Sequence, residues 1–344
     1  MNLGEDEMAA ITIQDVAREA KVSISTVSYA ISGTRPISET TRLRVLNAAK
    51  KLGYHANSPA TVLASGRSKV FALMLPAIQG GLSHSQLVFF RELSKVAREA
   101  NYRVLLVHNE DQCDEIVELW KSKAVDAFII MEVAVSDPRI DLLKAMKVPF
   151  VSIGRTDDTT RLRSVDIDFA LVVANGLQYL DDLNHKHVVY FGFEEERFSV
   201  GYGPSVRSKE GFYSRAQSLH MKSQYLSIPA DPIKAMRRAK SLFTKNPTID
   251  GAIIQNESSL SGVIAAIEES GKRIPEDISI LAFSDTSFFE GQYKNISSLN
   301  LPVREMTAAA FQSLTDELSN ERTLKVETIT LGSAIYERGS CLKR

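Results

Sequence analysis

"TIQDVAREAKVSISTVSYAISG", Thr12–Gly33, sets two short helical patterns almost end to end. Ile13, Val16, Ala17 and Ala20 recur at helical spacing, with Thr12 placed to cap them. Lys21 and Val22 leave room only for a tight turn. Ser23 caps a second pattern carrying Ile24, Val27 and Ile31, which Gly33 ends. Neither stripe can bury itself alone, so a third element is required. It follows at once: Ser38 caps, Leu43, Val45, Leu46, Ala49 and Leu52 line one side, and Gly53 stops it. Three short helices with a tight first turn predict a helix-turn-helix. The plainer alternative is a helical hairpin used for dimerisation. Against it stands the start of the second helix, where Ser23, Ser25, Thr26 and Ser28 gather; small hydroxyls at a helix N-terminus suit phosphate oxygens and base edges.

Charge supports that partner. Net charge over the 344 residues is −1, yet residues 11–69 hold nine Lys and Arg against three Asp and Glu, a balance of +6. Residues 70–344 come to −4. A basic front on a slightly acidic body implies a local polyanion. The acidic opening MNLGEDEMAA is unlike a signal peptide, and no apolar run approaches the ~18 residues of a membrane span. A cytoplasmic protein is expected, with residues 1–10 disordered and either Met1 or Met8 as the start. Cys113 and Cys341 stand alone, and none of the six His pairs with a Cys or another His at ligand spacing; His185 and His187 flank Lys186 in a turn. No metal, disulfide framework or cofactor is expected.

"NSPATVLASGRSK", Asn57–Lys69, offers Asn57 and Ser58 as caps, Pro59 at a first helical position, and little more than one turn over Ala60–Ala64 before Gly66. A helix that short is marginal alone. It is either a plain linker or a hinge that folds against a partner, with Leu63 as an apolar wedge.

From Lys69 onward strands and helices alternate. "VFALMLP", "YRVLLVHN", "DAFIIM" and "VPFVSIG" read as strands separated by helices over Leu87–Ala100, Ile116–Lys121 and Pro138–Met146. After Asp168 come "HVVYFGF", "QYLSIP", "DGAIIQ" and "ISILAFSD", with helices over Phe169–Leu183, Arg207–Leu219, Ile233–Phe243, Ser258–Ser270 and Arg304–Leu318, then "VETITLG". Such alternation implies parallel sheets covered on both faces. About ten strands exceed one core, so two doubly wound lobes are expected, divided near "RTDDTTRLRS". Strand C-termini then face a cleft, where Asn109, Arg155, Asn256, Glu257, Ser284 and Asp285 collect. There is no G-x-x-x-x-G-K-S/T, no G-x-G-x-x-G after a strand and no G-x-S-x-G, so an enzyme is not expected.

These pieces resemble a known family. "TIQDVAREAKVSISTVSYAISG", "RPISETTRLRVLNAAKKLGYHAN" and "ATVLASG" look like the headpiece and hinge of the lactose/galactose repressors. "SKVFALMLP", "VDAFII", "VPFVSIGR", "LNHKHVVYFG", "IDGAIIQNESSLSGVIAAI" and "RIPEDISILAFSD" look like their effector-binding body, of the type of periplasmic sugar-binding proteins. The resemblance implies an α/β fold with an N-terminal three-helix headpiece (residues 11–57), a hinge helix and linker (58–68), and a two-lobed effector-binding and dimerisation domain (69–344). It places Ile24, Ser25 and Tyr29 against base edges. Thr12, Ser23, Thr26, Ser32, Ser38, Thr41 and Asn57 fall at backbone-contacting or capping positions. Ala60 and Leu63 fall on the hinge, where the leucine pries open a base step in the minor groove. Tyr29 stands where many relatives carry Arg, so the half-site should differ.

In the cleft the resemblance points to Arg155, Arg207, Asn256, Glu257, Ser284 and Asp285. The usual sugar-binding set is thinned: Glu257 replaces an Asp, Arg207 is one step from the usual Arg position now held by Ser208, Gly154 and Ser284 replace Asp, and Ser85 and Gln86 replace aromatic residues. The expected function is a DNA-binding transcriptional regulator, most simply a repressor, whose operator affinity responds to a small polar effector such as a sugar derivative. The expected partners are double-stranded operator DNA, that effector and a second copy of the chain; a chain ending "ERGSCLKR" lacks the leucine-rich tail of a tetramer. A nucleoside or another metabolite is the alternative effector. A cleft that only sets dimer geometry or takes a protein partner, a sugar- or nucleoside-processing enzyme, and a transporter's solute-binding protein are the competing readings.

Overall fold

The computed structural model describes residues 11–32, 35–54, 67–77, 81–319 and 328–344. The chain forms two compact units, one of Met1–Val70 with Glu118–Asp126, the other of Phe71–Val117 with Ala127–Arg344.

In the first unit, three helices form as the caps direct: α1 (Ile13–Ala20), α2 (Ile24–Ser32) and α3 (Glu39–Leu52). The α1 cap works in reverse. The Asp15 carboxylate accepts from the Thr12 N–H at 3.0 Å and from the Thr12 hydroxyl at 2.7 Å. Lys21 turns the chain in the left-handed region at φ 53°. The Ser23 hydroxyl oxygen accepts from the Thr26 N–H at 3.1 Å, and that of Ser38 from the Thr41 N–H at 3.2 Å. The core is Val16, Ala17, Ala20, Val27, Ala30, Val45, Ala48 and Ala49. Leu43 and Leu46, expected on the packed side of α3, are instead 52% and 41% exposed. The buried stripe is Val45, Ala48, Ala49 and half-buried Leu52, spaced i, i+3, i+4, i+7; Leu43 and Leu46 fall off it. The calls on residues 1–10, Asn57, Ala60 and Leu63, and on the Ser32 side chain, lie outside the described residues.

The second unit holds two six-stranded sheets. Strands β1 (Val70–Pro76), β2 (Arg103–Asn109), β3 (Ala127–Ile130), β4 (Phe150–Ile153), β5 (Ser164–Ile167) and β11 (Thr328–Leu331) assemble in the order β11-β5-β4-β3-β1-β2. Strands β6 (His187–Gly192), β7 (Lys222–Ser227), β8 (Gly251–Ile254), β9 (Ser279–Ser284), β10 (Ser297–Asn300) and β12 (Ile335–Tyr336) assemble as β12-β10-β9-β8-β6-β7. β12 runs antiparallel on β10; the other pairs whose register is defined are parallel. Helices α4 (His84–Glu99), α5 (Gln112–Lys121), α6 (Pro138–Met146) and α12 (Val303–Ser319) belong with the first sheet. Helices α7 (Phe169–Asp182), α8 (Glu195–Ser199), α9 (Gly203–Ser218), α10 (Pro232–Lys245) and α11 (Leu260–Glu269) belong with the second.

The inner strands of both sheets are buried on two faces, as continuous apolar strands require, whereas the edge strands β2, β7 and β11 are mostly exposed or half-buried. On the second, α10 and α11 cross so closely that a Cβ on Gly262 would stand 2.2 Å from the Pro232 carbonyl oxygen. On its other face, Gly211 of α9 lets α7 approach; a Cβ there would stand 2.5 Å from the Ala170 Cα. Only glycine fits at either crossing.

The lobes do not divide where the sequence suggested. "RTDDTTRLRS" joins β4 to β5 inside the first lobe. The chain leaves that lobe after Ile167, returns at Val303 and leaves again after Leu331. Strands β5, β10 and β12 went unseen because "SVDI", "SSLN" and "IY" are short, and the first two half polar. His185 and His187 serve the fold: their rings meet the Leu342 carbonyl oxygen at 3.2 Å and the Thr248 hydroxyl at 2.8 Å.

Candidate functional site

Two places in the chain present recognition chemistry. In the first unit, burying Val27 and Ala30 turns the opposite face of α2 outward. Ile24 is 48% exposed, Ser23 and Ser25 are exposed, and Tyr29 is half-buried one turn beyond Ser25. The hydroxyls of Ser23, Ser25 and Thr26 lie 2.8 Å apart in a chain centred on Ser23. Each is able to exchange its neighbour for a phosphate oxygen or a base edge.

In the second unit the strand ends of the two lobes meet across a polar cleft. Glu257 and Ser284, from the second lobe, come together with Ser85 at the start of α4 in the first. The Glu257 carboxylate accepts from the Ser85 N–H at 2.7 Å, from the Ser85 hydroxyl at 2.7 Å and from the Ser284 hydroxyl. Beside it the His84 ring reaches the Ser287 hydroxyl at 3.1 Å and packs on Phe288. Arg207 crosses from α9 to Asp157 at 2.9 Å. Arg155 meets Asp166 at 3.2 Å within the first lobe.

Asn256 and Asp285 are placed differently from the other four. The Asn256 amide nitrogen donates to the Ile228 carbonyl at 3.2 Å, and the Asp285 carboxylate accepts from the Ser287 N–H at 2.9 Å, capping a short 3-10 turn. The Asn256 bond holds backbone within its own lobe, and the Asp285 carboxylate also accepts from the Ser287 hydroxyl at 2.5 Å, the group that the His84 ring reaches from the first lobe. Asn109, at the end of β2, donates to Glu115 in its own lobe at 3.2 Å.

The cleft also draws in residues that sequence reasoning passed over. Glu132, two residues past β3, accepts from Gln86 at 2.9 Å and from Arg197 of α8, across the lobes. The Arg197 guanidinium carbon lies 4.9 Å from the Phe193 ring centroid and 5.0 Å from that of Tyr202. Backbone bonds run alongside, from the Val135 N–H to the Gly201 carbonyl at 2.7 Å and from the Gly203 N–H to the Val133 carbonyl at 3.0 Å. Glu132 adopts φ 57°, a backbone state that side chains seldom take and that clusters at functional sites. The rule that ligands meet strand C-termini could have found Glu132, just beyond "DAFIIM". Nothing in the sequence pairs it with Arg197.

Buried Arg139 fixes that strand end. Its guanidinium donates to the Met131 carbonyl at 3.0 Å, the Glu132 carbonyl at 3.2 Å, Gln112 at 2.6 Å and both oxygens of buried Asp137, at 2.9 and 2.7 Å.

A model of bacterial regulatory proteins of the lacI family matches residues 12–57, and a model of the periplasmic binding protein-like domain matches residues 177–341. The chain thus joins a DNA-binding domain of the lacI family of bacterial regulatory proteins to a periplasmic binding protein-like domain. It is a DNA-binding transcriptional regulator. It is 27% identical over 339 residues to the catabolite control protein A of Staphylococcus xylosus, covering 96% of this chain and 99% of the relative. It is also 27% identical over 344 residues to the HTH-type transcriptional regulator pepR1 of Lactobacillus delbrueckii subsp. lactis, covering 97% and 98%. In fold it is similar to the lac repressor dimer bound to operator and the anti-inducer ONPF, with a TM-score of 0.80 at 18% identity over 97% of this chain and 100% of that one. The transcriptional regulator CelR in complex with cellobiose gives a TM-score of 0.68 at 21% identity over 96% and 99%. Among the described residues no helix is long and apolar enough to cross a membrane, and no cluster of His, Cys, Asp and Glu is built to hold a metal.

Asp166 gives this regulator a measurable pH signature. Burial pushes its carboxyl up to about 6, against the downward pull of the Ile167 N–H and of Arg207 and Arg155. The folded state therefore holds a proton that the unfolded chain, with an ordinary value of 3.8, releases earlier. Stability contributed at this site falls as pH rises from about 4 to about 6 and is level above that. Wild type is expected to lose melting temperature relative to Asp166→Asn across that window. Parallel melting curves for the two proteins would show that another group carries the shift.

Proposed function

We propose that the regulator is a cytoplasmic, non-enzymatic homodimer that represses from a two-fold operator, and that a small polar effector in the cleft sets its operator affinity. The carrying observation is the set of contacts that join the lobes around the candidate effector residues: Ser85–Glu257–Ser284, Glu132–Arg197 and Asp157–Arg207. A ligand that competes for those groups changes lobe closure, and only a ligand with different affinity for two arrangements shifts DNA binding. Arg155, Arg207, Asn256, Glu257, Ser284 and Asp285 are the candidate contacts, with Ile24, Ser25, Tyr29 and the caps Thr12, Ser23, Thr26, Ser32, Ser38 and Thr41 on the DNA side, and Asn57, Ala60 and Leu63 on the hinge. The relatives named for cellobiose and catabolite control favour a carbohydrate or carbohydrate-derived effector. A guanidinium at Arg155 or Arg207 suits hydroxyl pairs or an anionic substituent.

The test is a ligand panel of mono- and disaccharides, their phosphates and nucleosides, read by thermal shift and then by operator affinity. A true effector is expected to stabilise wild type, to lose that effect in Arg155→Ala and Glu257→Gln, and to change operator affinity about 5- to 150-fold. Equal stabilisation of wild type and both variants would remove these residues from the site. A second reading draws on the same contacts: the cleft side chains already satisfy one another, as they would if the cleft only fixed dimer geometry or took a protein partner. A panel with no stabilising ligand, and operator affinity lost in Glu257→Gln alone, favours it.

A further inference from the structure

The second helix reads DNA with hydroxyls. Ser23, Ser25, Thr26, Ser28 and the Tyr29 phenol are its outward polar groups, and none presents the two parallel donors that fork onto guanine O6 and N7. The structure supplies such a fork from outside the helix. Arg35 is exposed, and its guanidinium carbon lies 5.3 Å from the centroid of the Tyr29 ring. Elsewhere in the first unit Asp15 pairs with Arg18 at 3.2 Å and Glu19 with Lys51 at 2.7 Å. A guanidinium held over a ring face can keep its in-plane N–H edges free for a second partner. Pro36 follows directly and restricts Arg35 to extended backbone, so the side chain starts from a narrowed set of positions. Tyr29 itself is fixed by the helix whose opposite side buries Val27 and Ala30.

We infer that Arg35, held on the ring of Tyr29, is a specificity-determining residue that reads a guanine at one symmetric position of each operator half-site. Tyr29 is its positioning residue, acting through the ring face, with the phenol hydroxyl dispensable for that task. The stack restores bidentate recognition to a helix that carries only single-point donors.

Selection from randomised half-sites, followed by competition titrations with the full-length protein, tests this with wild type, Arg35→Lys, Arg35→Ala, Tyr29→Phe and Tyr29→Ala. Wild type is expected to select guanine at one symmetric position. Arg35→Lys, which keeps the charge and loses the fork, is expected to lower that preference by between about 5- and 150-fold and to leave other positions alone. Tyr29→Ala should flatten the same position, and Tyr29→Phe should retain it. Arg35→Ala weakening all sequences alike, with a lower salt slope, would make Arg35 a phosphate contact and overturn the inference. An unchanged motif in both Arg35 variants would overturn it too. Both of those leave the regulator reading intact, whereas a wild type that selects no sequence would sink the two together.

Discussion

Raising salt from ~50 to ~200 mM should weaken operator binding by about a thousandfold. Residues 11–69 carry +6, and a dimer presents that surface twice. Half of those charges touching phosphate would give about six contacts per dimer. Each releases close to one counterion, so affinity falls as roughly the fifth power of salt concentration. The helix N-termini at Ile24 and Glu39 add backbone N–H groups that suit phosphate and carry little of the salt dependence. Fluorescence anisotropy with the selected operator across that range checks the slope. A flat response would mean that the basic front does not lie along the DNA backbone.

Arg139→Met should cost ~3–5 kcal/mol, because it leaves the Asp137 carboxylate buried without its guanidinium. Asp137 keeps its bonds from the Arg139 and Ala134 N–H groups at 3.1 and 3.2 Å, which offset only part of the charge. The melting temperature of the two-lobed unit should drop by roughly 10 °C at that cost. Arg139→Met with Asp137→Asn should recover part of it, since no uncompensated charge remains. The end of β3 loses its anchor in either protein, so Glu132 should hold Arg197 less well, and any effector response should weaken even in the stabilised double variant. A loss below ~1 kcal/mol would show that the guanidinium network adds nothing beyond packing.

What the sequence made legible follows from how local each signal was. Ser38, Pro138 and Pro232 mark helix starts within one residue, because capping chemistry and proline geometry act inside a single turn. The long apolar strands announce themselves by composition. Leu43 and Leu46 are apolar yet lie off the buried stripe of α3, so composition alone does not place them in the core. "SSLN" becomes a strand because Ser298 and Leu299 find Ala282 and Phe283 on one side and Tyr336 and Ile335 on the other, partners drawn from elsewhere in the chain. The same holds in the cleft. Glu257 and Ser284 stand at strand ends and were readable as candidates, but their partner Ser85 lies on another lobe. The pairs Glu132–Arg197 and Asp157–Arg207 join segments 65 and 50 residues apart. No period or spacing rule reaches that far.

The three passages of the chain between the lobes also decide how such a protein can be taken apart. Neither lobe is a contiguous piece of the gene. Cutting after Ile167 leaves the first lobe without α12 and β11, which stay attached to the second. A single genetic crossover at that junction would therefore pair a first-lobe core with a foreign α12, whose Met306, Ala310 and Leu314 must fit a core that they did not evolve beside. Exchanging the DNA-reading front for another is a one-junction graft, whereas exchanging the second lobe requires three simultaneous joins and exchanging the first lobe behind its own front requires four. New operators are thus easier to acquire by shuffling than new halves of the cleft, which must change residue by residue.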